Sequence, residues 1–380
     1  MRDTSSKLIE KEFAHLDTLY FNSAYFGPSP YRAKQKVANA LFKELDPSFF
    51  PYNTWMGFAD RTRANIANLL QVDMADITHS TSSSDVLTLI SLGFPFKKGD
   101  VVTAVDGDYP SNILTWMLAE ERGRCKFQLL PKSLHIDAKS IEEKLDKNCK
   151  IFSISHVAFD TGRRCDLMAI GKMLKSRGIL FVVDATQSLG GLRISKEELE
   201  YIDVLACSSY KWLLGPYGHA FGYFSKAAQE IIEYNNANWV KSPNSKDSGD
   251  LLNYSTKTVR GARKYDRGEP ANMLVNACLD ASLEFLQSVG LEEIENHNRE
   301  VRDHFLQNYP KKKYQLITPT EGMGNIISIK SKGQIDVEAL ERELKYHNID
   351  VSVREGKLRL SFHLFNNIEQ VETLIRAMDL

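Results

Sequence analysis

Two segments of the chain place ionisable residues at the ends of apolar runs. FVVDATQSLG (Phe181–Gly190) runs into Asp184, and ACSSYKWLLGPYGHAFGYF (Ala206–Phe224) carries Lys211 among uncharged neighbours. Ligands of open parallel sheets bind at the carboxyl ends of the strands, so this carboxylate and this amine could serve one ligand. Pyridoxal phosphate needs both. A desolvated lysine forms the Schiff base, and a carboxylate keeps the pyridine nitrogen protonated so that the ring withdraws electrons from a substrate carbanion.

Other residues could hold the rest of this cofactor. The run HSTSSSDVLTLISLGF (His79–Phe94) puts hydroxyl groups at the start of an apolar helix, where backbone N–H groups bind phosphate. Ser208 could add a phosphate contact, and Gln187 could reach the ring hydroxyl.

Each of these residues also has a purely structural interpretation. Asp184 could cap the turn that follows it, and Lys211 could be a structural lysine whose stem is buried. Ser82 with Asp85 three residues later fits a helix capping box. A cap and a phosphate site are compatible, and five consecutive hydroxyl residues exceed what a cap requires.

Composition excludes several classes of protein. The 380 residues are 43% hydrophobic and 26% charged, with a net charge of −1, which gives no general attraction to nucleic acid or to acidic membranes. The five scattered cysteines indicate reduced thiols rather than a disulfide framework. The N-terminal MRDTSSKLIEKEF lacks the apolar core of a signal peptide, so we expect a cytoplasmic protein. The chain has no GxGxxG after a strand, no P-loop and no HExxH motif, and its histidines lack metal-ligand spacing.

The order of elements predicts the scaffold for these residues. Short apolar runs alternate with helical patterns such as Asp166–Gly178, which predicts a mainly parallel sheet covered on both faces. A polar, turn-rich loop at Val240–Asp250 and a long helix at Pro270–Gly290 precede an α+β pattern that indicates a smaller C-terminal domain. The predicted strands are Asp100–Gly107, Cys149–Phe159, Gly178–Ala185, Asp203–Ser209 and Ala220–Phe224.

Six blocks in order resemble the class V aminotransferase family, in the branch that contains isopenicillin N epimerase-like and cysteine desulfurase-like proteins. They are LYFNSAYFGPSP, STSSSD, DGDYPSNILTW, SHVAFDTGRRCDL, the Asp184-to-Lys211 blocks and LRLSFHLFN. The resemblance implies the PLP-dependent transferase fold type I. Its large cofactor-binding domain, over residues 21–255, would have a mainly parallel seven-stranded sheet. The smaller α+β C-terminal domain would span residues 256–380, with 1–20 packing alongside.

The resemblance also implies roles for single residues. Lys211 would be the Schiff-base lysine and the proton shuttle at the substrate α-carbon, and Asp184 the partner of the pyridinium nitrogen. The remaining implied cofactor contacts are Ser83, Ser84 and Ser208 on the phosphate, Tyr109 on the ring face, Gln187 on the ring oxygen and Tyr210 beside the cofactor. The implied substrate contacts are Arg359, on the α-carboxylate, and Asn22, in the substrate-side loop.

The chain departs from the family pattern at several positions. Tyr210 replaces a histidine that often precedes the lysine, and Phe159 replaces an asparagine of the desulfurases. Glu269 stands where many relatives send a threonine to the partner subunit's phosphate, and Arg263 or Arg267 could compensate. VREGKLRLS (Val353–Ser361) lacks the cysteine-bearing insertion of the desulfurases, so persulfide chemistry by that route is not expected.

The expected function is therefore a homodimeric, pyridoxal-phosphate-dependent enzyme that acts at the α-carbon of an amino acid. An aminotransferase is the leading interpretation. A lyase or epimerase that uses the same carbanion is the alternative, and a non-catalytic cofactor-binding module is a third. Retention of Lys211, Asp184 and Arg359 together argues against the third.

Overall fold

The structure is a computed structural model that describes residues 3–46, 48, 52–233, 236–247, 249–333 and 335–379. The helices are α1 (Asp3–Phe13), α2 (Tyr31–Glu44), α3 (Tyr52–Leu70), α4 (Ser83–Gly93), α5 (Pro110–Glu121), α6 (Ala138–Glu142), α7 (Leu167–Ser176), α8 (Lys196–Leu199), α9 (Lys226–Ile231), α10 (Met273–Val289), α11 (Leu291–Asn308), α12 (Val337–Tyr346) and α13 (Ile368–Asp379). The strands are β1 (Leu19–Tyr20), β2 (Ile77–Ser80), β3 (Val101–Val105), β4 (Lys126–Leu130), β5 (Cys149–Ser155), β6 (Leu180–Asp184), β7 (Val204–Ser208), β8 (Ala220–Phe224), β9 (Tyr314–Leu316), β10 (Ile326–Ser331), β11 (Ile349–Asp350), β12 (Ser352–Arg354) and β13 (Lys357–Ser361).

A seven-stranded sheet in the order β2-β8-β7-β6-β5-β3-β4 forms the centre of the molecule. Its β7-β6-β5-β3-β4 neighbours pair in parallel, whereas β8 pairs antiparallel with both β2 and β7. Strands β3, β6 and β7 are buried along their whole length because helices cover both faces of the sheet, and a buried hydrophobic cluster lies on each side. The prediction of a mainly parallel seven-stranded sheet is confirmed.

Helix α7 illustrates how local sequence sets these elements. The Asp166 carboxylate accepts a hydrogen bond from the N–H of Ala169 at the helix start. Leu167, Ile170 and Leu174 recur at helical spacing and are buried against the sheet. The chain leaves the helix through Gly178, whose φ of 65° favours glycine. The helix predicted over Asp166–Gly178 is therefore present, shortened by its two caps.

A four-stranded antiparallel sheet, in the order β12-β13-β10-β9, forms the C-terminal layer. Leu358 and Leu360 of β13 belong to its hydrophobic cluster with residues of α11, α12 and α13. The N-terminal segment joins this layer through β1, where Leu19 and Tyr20 pair in parallel with Ile349 and Asp350 of β11. The domain boundary at residues 255–256 stays a prediction. Among the described residues, no helix combines the length and the apolar character needed to cross a bilayer.

Candidate active site

The carboxyl ends of β5, β6 and β7 form one wall of a cavity of about 370 Å³. Ser155, Asp184 and Ser208 end these strands, and strand register sets Ser155 beside Asp184. The first turn of α4 and the turn after β7, which carries Lys211, complete the lining. The structure thus brings together the residues that the sequence placed in separate motifs.

Asp184 is a buried carboxylate with little compensation from the protein. Its Oδ1 accepts a hydrogen bond of 2.8 Å from the N–H of Thr186. Burial raises its pKa, and the bond from Thr186 opposes that rise. Within the described part of the chain no cation lies at salt-bridge distance from it. A buried carboxylate is costly unless it meets a cation, so this position fits a positively charged group of a bound ligand.

Lys211 is the complementary case, a buried amine without a carboxylate partner among the described residues. Burial and the charge of Arg359 lower its pKa to about 7, while Asp184 opposes the shift. Its Nζ lies 5.3 Å from the ring centroid of Tyr109 and 5.5 Å from that of Tyr210. An amine with this pKa is substantially neutral near pH 7, and a neutral amine is both a nucleophile and a base.

Hydroxyl groups surround the N-terminus of α4. Ser82 caps the helix by accepting from the N–H of Asp85, so the predicted cap is present beside the cavity. The N–H of Ser83 donates to Ser208 Oγ at 3.1 Å. Ser84 Oγ donates to Ser111 Oγ at 2.7 Å. Oriented amides and hydroxyls at a helix start can bind a phosphate group.

Tyr109 stands over the cavity between Lys211 and Phe159. Its ring meets the Phe159 ring edge to face, with centroids 5.4 Å apart at 81°. Asp108 holds it in place, because Asp108 accepts from the N–H of Tyr109 at 2.6 Å and from the N–H of Ser155 at 2.8 Å. Sequence analysis missed Asp108, whose only signal is its position one residue before the predicted stacking aromatic.

Gln187 and Tyr210 line the same cavity but are partly engaged with the protein. Gln187 donates one amide hydrogen to Ala24 O and accepts from Trp212 Nε1, both at 3.0 Å. Its second amide hydrogen remains available to a ligand oxygen. Burial raises the pKa of Tyr210 to about 12, so its phenol stays protonated and can donate. The roles predicted for both residues stay predictions.

Gly27 is a further residue that sequence analysis passed over. Its N–H donates to Tyr210 O at 2.8 Å. A Cβ at Gly27 would lie 1.9 Å from the carbonyl oxygen of Lys211, which is a severe overlap. The glycine in YFGPSP therefore lets the N-terminal segment pack directly on the turn that carries Lys211.

Arg359 lies in an adjoining cavity of about 480 Å³, whose lining includes Tyr109, Gln187, Tyr210 and Lys211. Its Nε donates to Ser352 Oγ at 3.1 Å and its Nη1 to Phe159 O at 2.9 Å. Its Nη2 is buried and has no hydrogen-bond partner among the described residues. Burial, and then the charge of Arg354, lowers its pKa to about 9. A buried guanidinium nitrogen without a partner, on a residue that lines a cavity, fits an anionic ligand.

Asn22 lies outside these two cavities. Its Nδ2 donates to Asp350 Oδ1 at 2.8 Å and to Val351 O at 3.2 Å, and it lines a neighbouring cavity with Tyr25 and Arg354. Its predicted contact with substrate is therefore not part of the site as built by Lys211 and Arg359, and it stays a prediction.

The region that the family resemblance assigns to subunit contact has partners within this chain. Glu269 Oε1 accepts from Trp239 Nε1 at 3.1 Å. Arg263 pairs with Asp60 at 3.3 Å. Arg267 Nη2 lies 3.7 Å from Oδ1 of Asp85 in the first turn of α4. Of the two arginines, it is therefore the one beside the hydroxyl groups at the start of α4.

The donor set as a whole fits pyridoxal phosphate. Asp184 offers a buried anion for a protonated ring nitrogen, Lys211 offers a neutral amine for an aldehyde, and the start of α4 offers amides and hydroxyls for a phosphate. Tyr109 offers an aromatic surface for the ring.

Comparison with known proteins gives a consistent result. The family model described as Aminotransferase class-V matches residues 54–376. A probable cysteine desulfurase of Pyrococcus abyssi is 25% identical over 342 residues, which is 84% of this chain and 82% of the relative. An uncharacterized aminotransferase of Schizosaccharomyces pombe, C777.03c, is 24% identical over 90% of this chain and 87% of its own length.

Solved structures share the whole fold at low sequence identity. The cystine C–S lyase C-DES in complex with its product cysteine persulfide superimposes with a TM-score of 0.88 at 18% identity, over 97% of this chain and 99% of that one. A C-DES mutant with glycine covalently linked to the PLP cofactor superimposes with a TM-score of 0.87, over 98% of this chain and 99% of that one. The apo cysteine desulfurase of Thermococcus onnurineus superimposes with a TM-score of 0.83 at 20% identity, over 98% of this chain and 96% of that one. The prediction of fold type I is confirmed.

Proposed function

The chain belongs to the class-V aminotransferase family and uses pyridoxal 5'-phosphate, and from that premise we propose that it transfers the amino group of an α-amino acid. The observation that carries this proposal is the pairing, in one cavity, of a buried Lys211 of lowered pKa with the buried carboxylate of Asp184. When bound, the cofactor supplies an electron-withdrawing ring that stabilises negative charge at the substrate α-carbon.

Lys211 has two tasks in this proposal. It would bind the cofactor's aldehyde covalently through Nζ, and Nζ would then carry a proton to and from the substrate α-carbon. With a pKa of about 7, Nζ can take the α-proton and return it without a large energetic penalty at neutral pH.

Asp184 and Arg359 would orient the two reactants. The Asp184 carboxylate would keep a proton on the ring nitrogen, since the buried anion is stabilised by a cation at that position. The free Nη2 of Arg359 would donate to the α-carboxylate, and the fixed bonds to Ser352 and Phe159 O would hold the guanidinium in orientation. This requirement for a carboxylate selects α-amino acids over simple amines.

A desulfurase with a cysteine nucleophile is suggested by the names of several relatives, and the local structure argues against it. Strands β12 and β13 are joined by a two-residue turn, Glu355 and Gly356, with φ of 51° and 66°, so there is no loop to present a thiol. None of the five cysteines, which all lie in described parts of the chain, lines either cavity. Burial further raises the pKa of Cys207.

Elimination at the β-carbon is the second candidate. It needs the same α-proton removal by Lys211 and no protein thiol, and the word lyase in the description of C-DES supports it. The two candidates differ only in the fate of the substrate after proton removal, which follows from the orientation of bonds rather than from residue type.

We expect the active form to be a cytoplasmic homodimer. Phe42 of α2 and Leu45, the residue after α2, are 76% and 75% exposed, and Leu252 and Tyr254 are 79% and 84% exposed. An association surface is typically a contiguous exposed apolar patch, and these side chains are candidates for one.

The experiment that tests the function uses the cofactor-loaded protein with a panel of α-amino acids and a 2-oxo acid acceptor. Mass spectrometry should detect the oxo acid of the donor together with the amino acid formed from the acceptor, and Lys211→Ala should form neither. Ammonia with pyruvate or another elimination product would instead assign the lyase. Loss of stereochemistry at Cα without either product would assign an epimerase.

A further inference from the structure

Three cationic side chains share one face of the β12–β13 hairpin. Register pairs Ser352 with Arg359 and Arg354 with Lys357. Cross-strand partners point to the same side of a sheet, and alternate residues along a strand do so too. Arg354, Lys357 and Arg359 therefore lie together on the face opposite the hydrophobic cluster that holds Leu358.

One of the three charges has a counter-ion among the described residues. Lys357 Nζ lies 3.1 Å from Asp160 Oδ2, and both side chains are buried. Arg359 is reserved for the substrate α-carboxylate in the function proposed above. The third cation, Arg354, donates from Nη1 to its neighbour Val353 O at 2.7 Å and has no ion pair with any described residue.

Two nearby carboxylates each accept a hydrogen bond from another group, and neither forms an ion pair with Arg354. Asp350 Oδ1 accepts from Asn22 Nδ2 at 2.8 Å, and Glu341 Oε1 accepts from the N–H of Val353 at 3.1 Å. The guanidinium of Arg354 instead lies 5.8 Å from the ring centroid of Tyr25, which gives it a flat support.

Arg354 is placed to meet the side chain of a substrate. It lines the same cavity of about 480 Å³ as Lys211 and Arg359. Diagonal neighbours on adjacent antiparallel strands are roughly 7–8 Å apart. A substrate whose α-carboxylate binds Arg359 and whose α-carbon lies near Lys211 therefore extends its side chain within reach of Arg354.

One substrate carboxylate leaves this cavity with an uncompensated positive charge. The charge of Arg354 lowers the pKa of both Arg359 and Lys211, although burial is the larger cause in each case. A second anion would relieve this repulsion, and the paired donors of a guanidinium match a carboxylate.

We infer that the substrate carries a second carboxylate on its side chain, as aspartate and glutamate do, and that Arg354 is the residue that selects it. This inference rests on the proposed function, because it takes Arg359 as the site of the α-carboxylate.

The test compares acidic amino acids with their neutral amides. The absorbance of the bound cofactor is followed while wild type, Arg354→Gln and Arg342→Gln are titrated with aspartate, asparagine, glutamate and glutamine. Wild type should bind at least one acid about tenfold or more tightly than its amide, the effect of one charge-assisted hydrogen bond. In Arg354→Gln that ratio should fall toward one.

Arg342→Gln is the matched control, because Arg342 lines only the neighbouring cavity and is 70% exposed. It should keep the wild-type ratio. If wild type binds acids and amides equally while an amino acid still changes the spectrum, the proposed function stands and the role of Arg354 is overturned. The role of Arg354 is also overturned if Arg354→Gln keeps the preference, or if Arg342→Gln loses it equally. If no amino acid changes the spectrum, the proposed function falls, and the inference falls with it.

Discussion

Asp184→Asn should have opposite effects on the protein without and with its cofactor. Without cofactor, the wild-type carboxylate is buried and receives one backbone hydrogen bond, from Thr186. Asparagine has nearly the same shape, and its oxygen can accept that bond, so the substitution removes a buried charge without opening a cavity. An uncompensated buried polar group costs about 1–3 kcal/mol, and a charged group more. The apo variant should therefore gain about 1–3 kcal/mol in its free energy of unfolding at pH 8.

With cofactor bound, Asp184→Asn should be unfavourable rather than favourable. If Asp184 pairs with a protonated ring nitrogen, removing one partner of that buried pair costs about 3–5 kcal/mol. Cofactor affinity should then fall by about a hundredfold or more, as measured by equilibrium dialysis.

The pH dependence of the apo effect follows from the direction of the pKa shift. Burial raises the folded-state pKa of Asp184, so wild type loses stability as pH rises from its unfolded pKa through its folded pKa. The advantage of Asp184→Asn should thus be present at pH 8 and disappear in acid. Urea unfolding of both apo proteins at several pH values measures it.

Asp203→Asn is the control for cofactor binding. Burial also raises the pKa of Asp203. However, Asp203 precedes β7 at the amino ends of the strands, opposite the end that forms the cofactor cavity, and it accepts from the N–H of Phe181. It should leave cofactor affinity unchanged. An apo Asp184→Asn protein that is less stable than wild type at pH 8, or that binds cofactor as tightly, would show that Asp184 is only a turn cap.

Three further outcomes are expected. The rate at which pyridoxal phosphate attaches covalently to the apo protein should rise with pH and level off above about pH 7, because the pKa of Lys211 is about 7. Borohydride reduction and peptide mapping should locate the attachment. A rate that levels off only near pH 10 would contradict the lowered pKa. Arg359→Lys keeps the charge but loses the fork, so amino acid binding should weaken by about 1–3 kcal/mol with a lower rate, and unchanged kinetics would exclude the assigned role. Light scattering at micromolar concentration should give a dimer, whereas a monomer would refute the assembly.

The strands that sequence analysis identified are those with long apolar runs. It missed β2 and β4. The ITHS of β2 has no alternation of apolar and polar residues, and the KFQLL of β4 forms an exposed edge of the sheet. Both are edge strands of the sheet, and their pairing is decided by strands elsewhere in the sequence, so periodicity gives little signal. Alternation in KLRLS puts Leu358 and Leu360 on one face of the strand and Arg359 on the other, and in the structure the two leucines lie in the hydrophobic cluster while Arg359 lines the cavity.

For the site, the sequence could predict chemistry but not partners. The residue types of Asp184 and Lys211 indicated a cofactor, and the structure places both in one cavity. The contact of Gly27 with the Lys211 carbonyl and the position of Asn22 beside Asp350 could not be predicted, because both depend on how the N-terminal segment crosses the finished fold.

The path of that N-terminal segment has a consequence for biosynthesis. Asn22 and Val351 are 329 positions apart yet hydrogen bonded, and Ala24 O holds Gln187 beside the cofactor cavity. Because the ribosome releases the N-terminus first and the Val351 region nearly last, the early segment has no strand to dock on for almost the whole of translation. The central sheet can form during that interval, but the wall around Lys211 closes only when β11 emerges. A chain that ends before residue 349 therefore lacks Arg354 and Arg359, which line the cavity beside Lys211 in the complete fold.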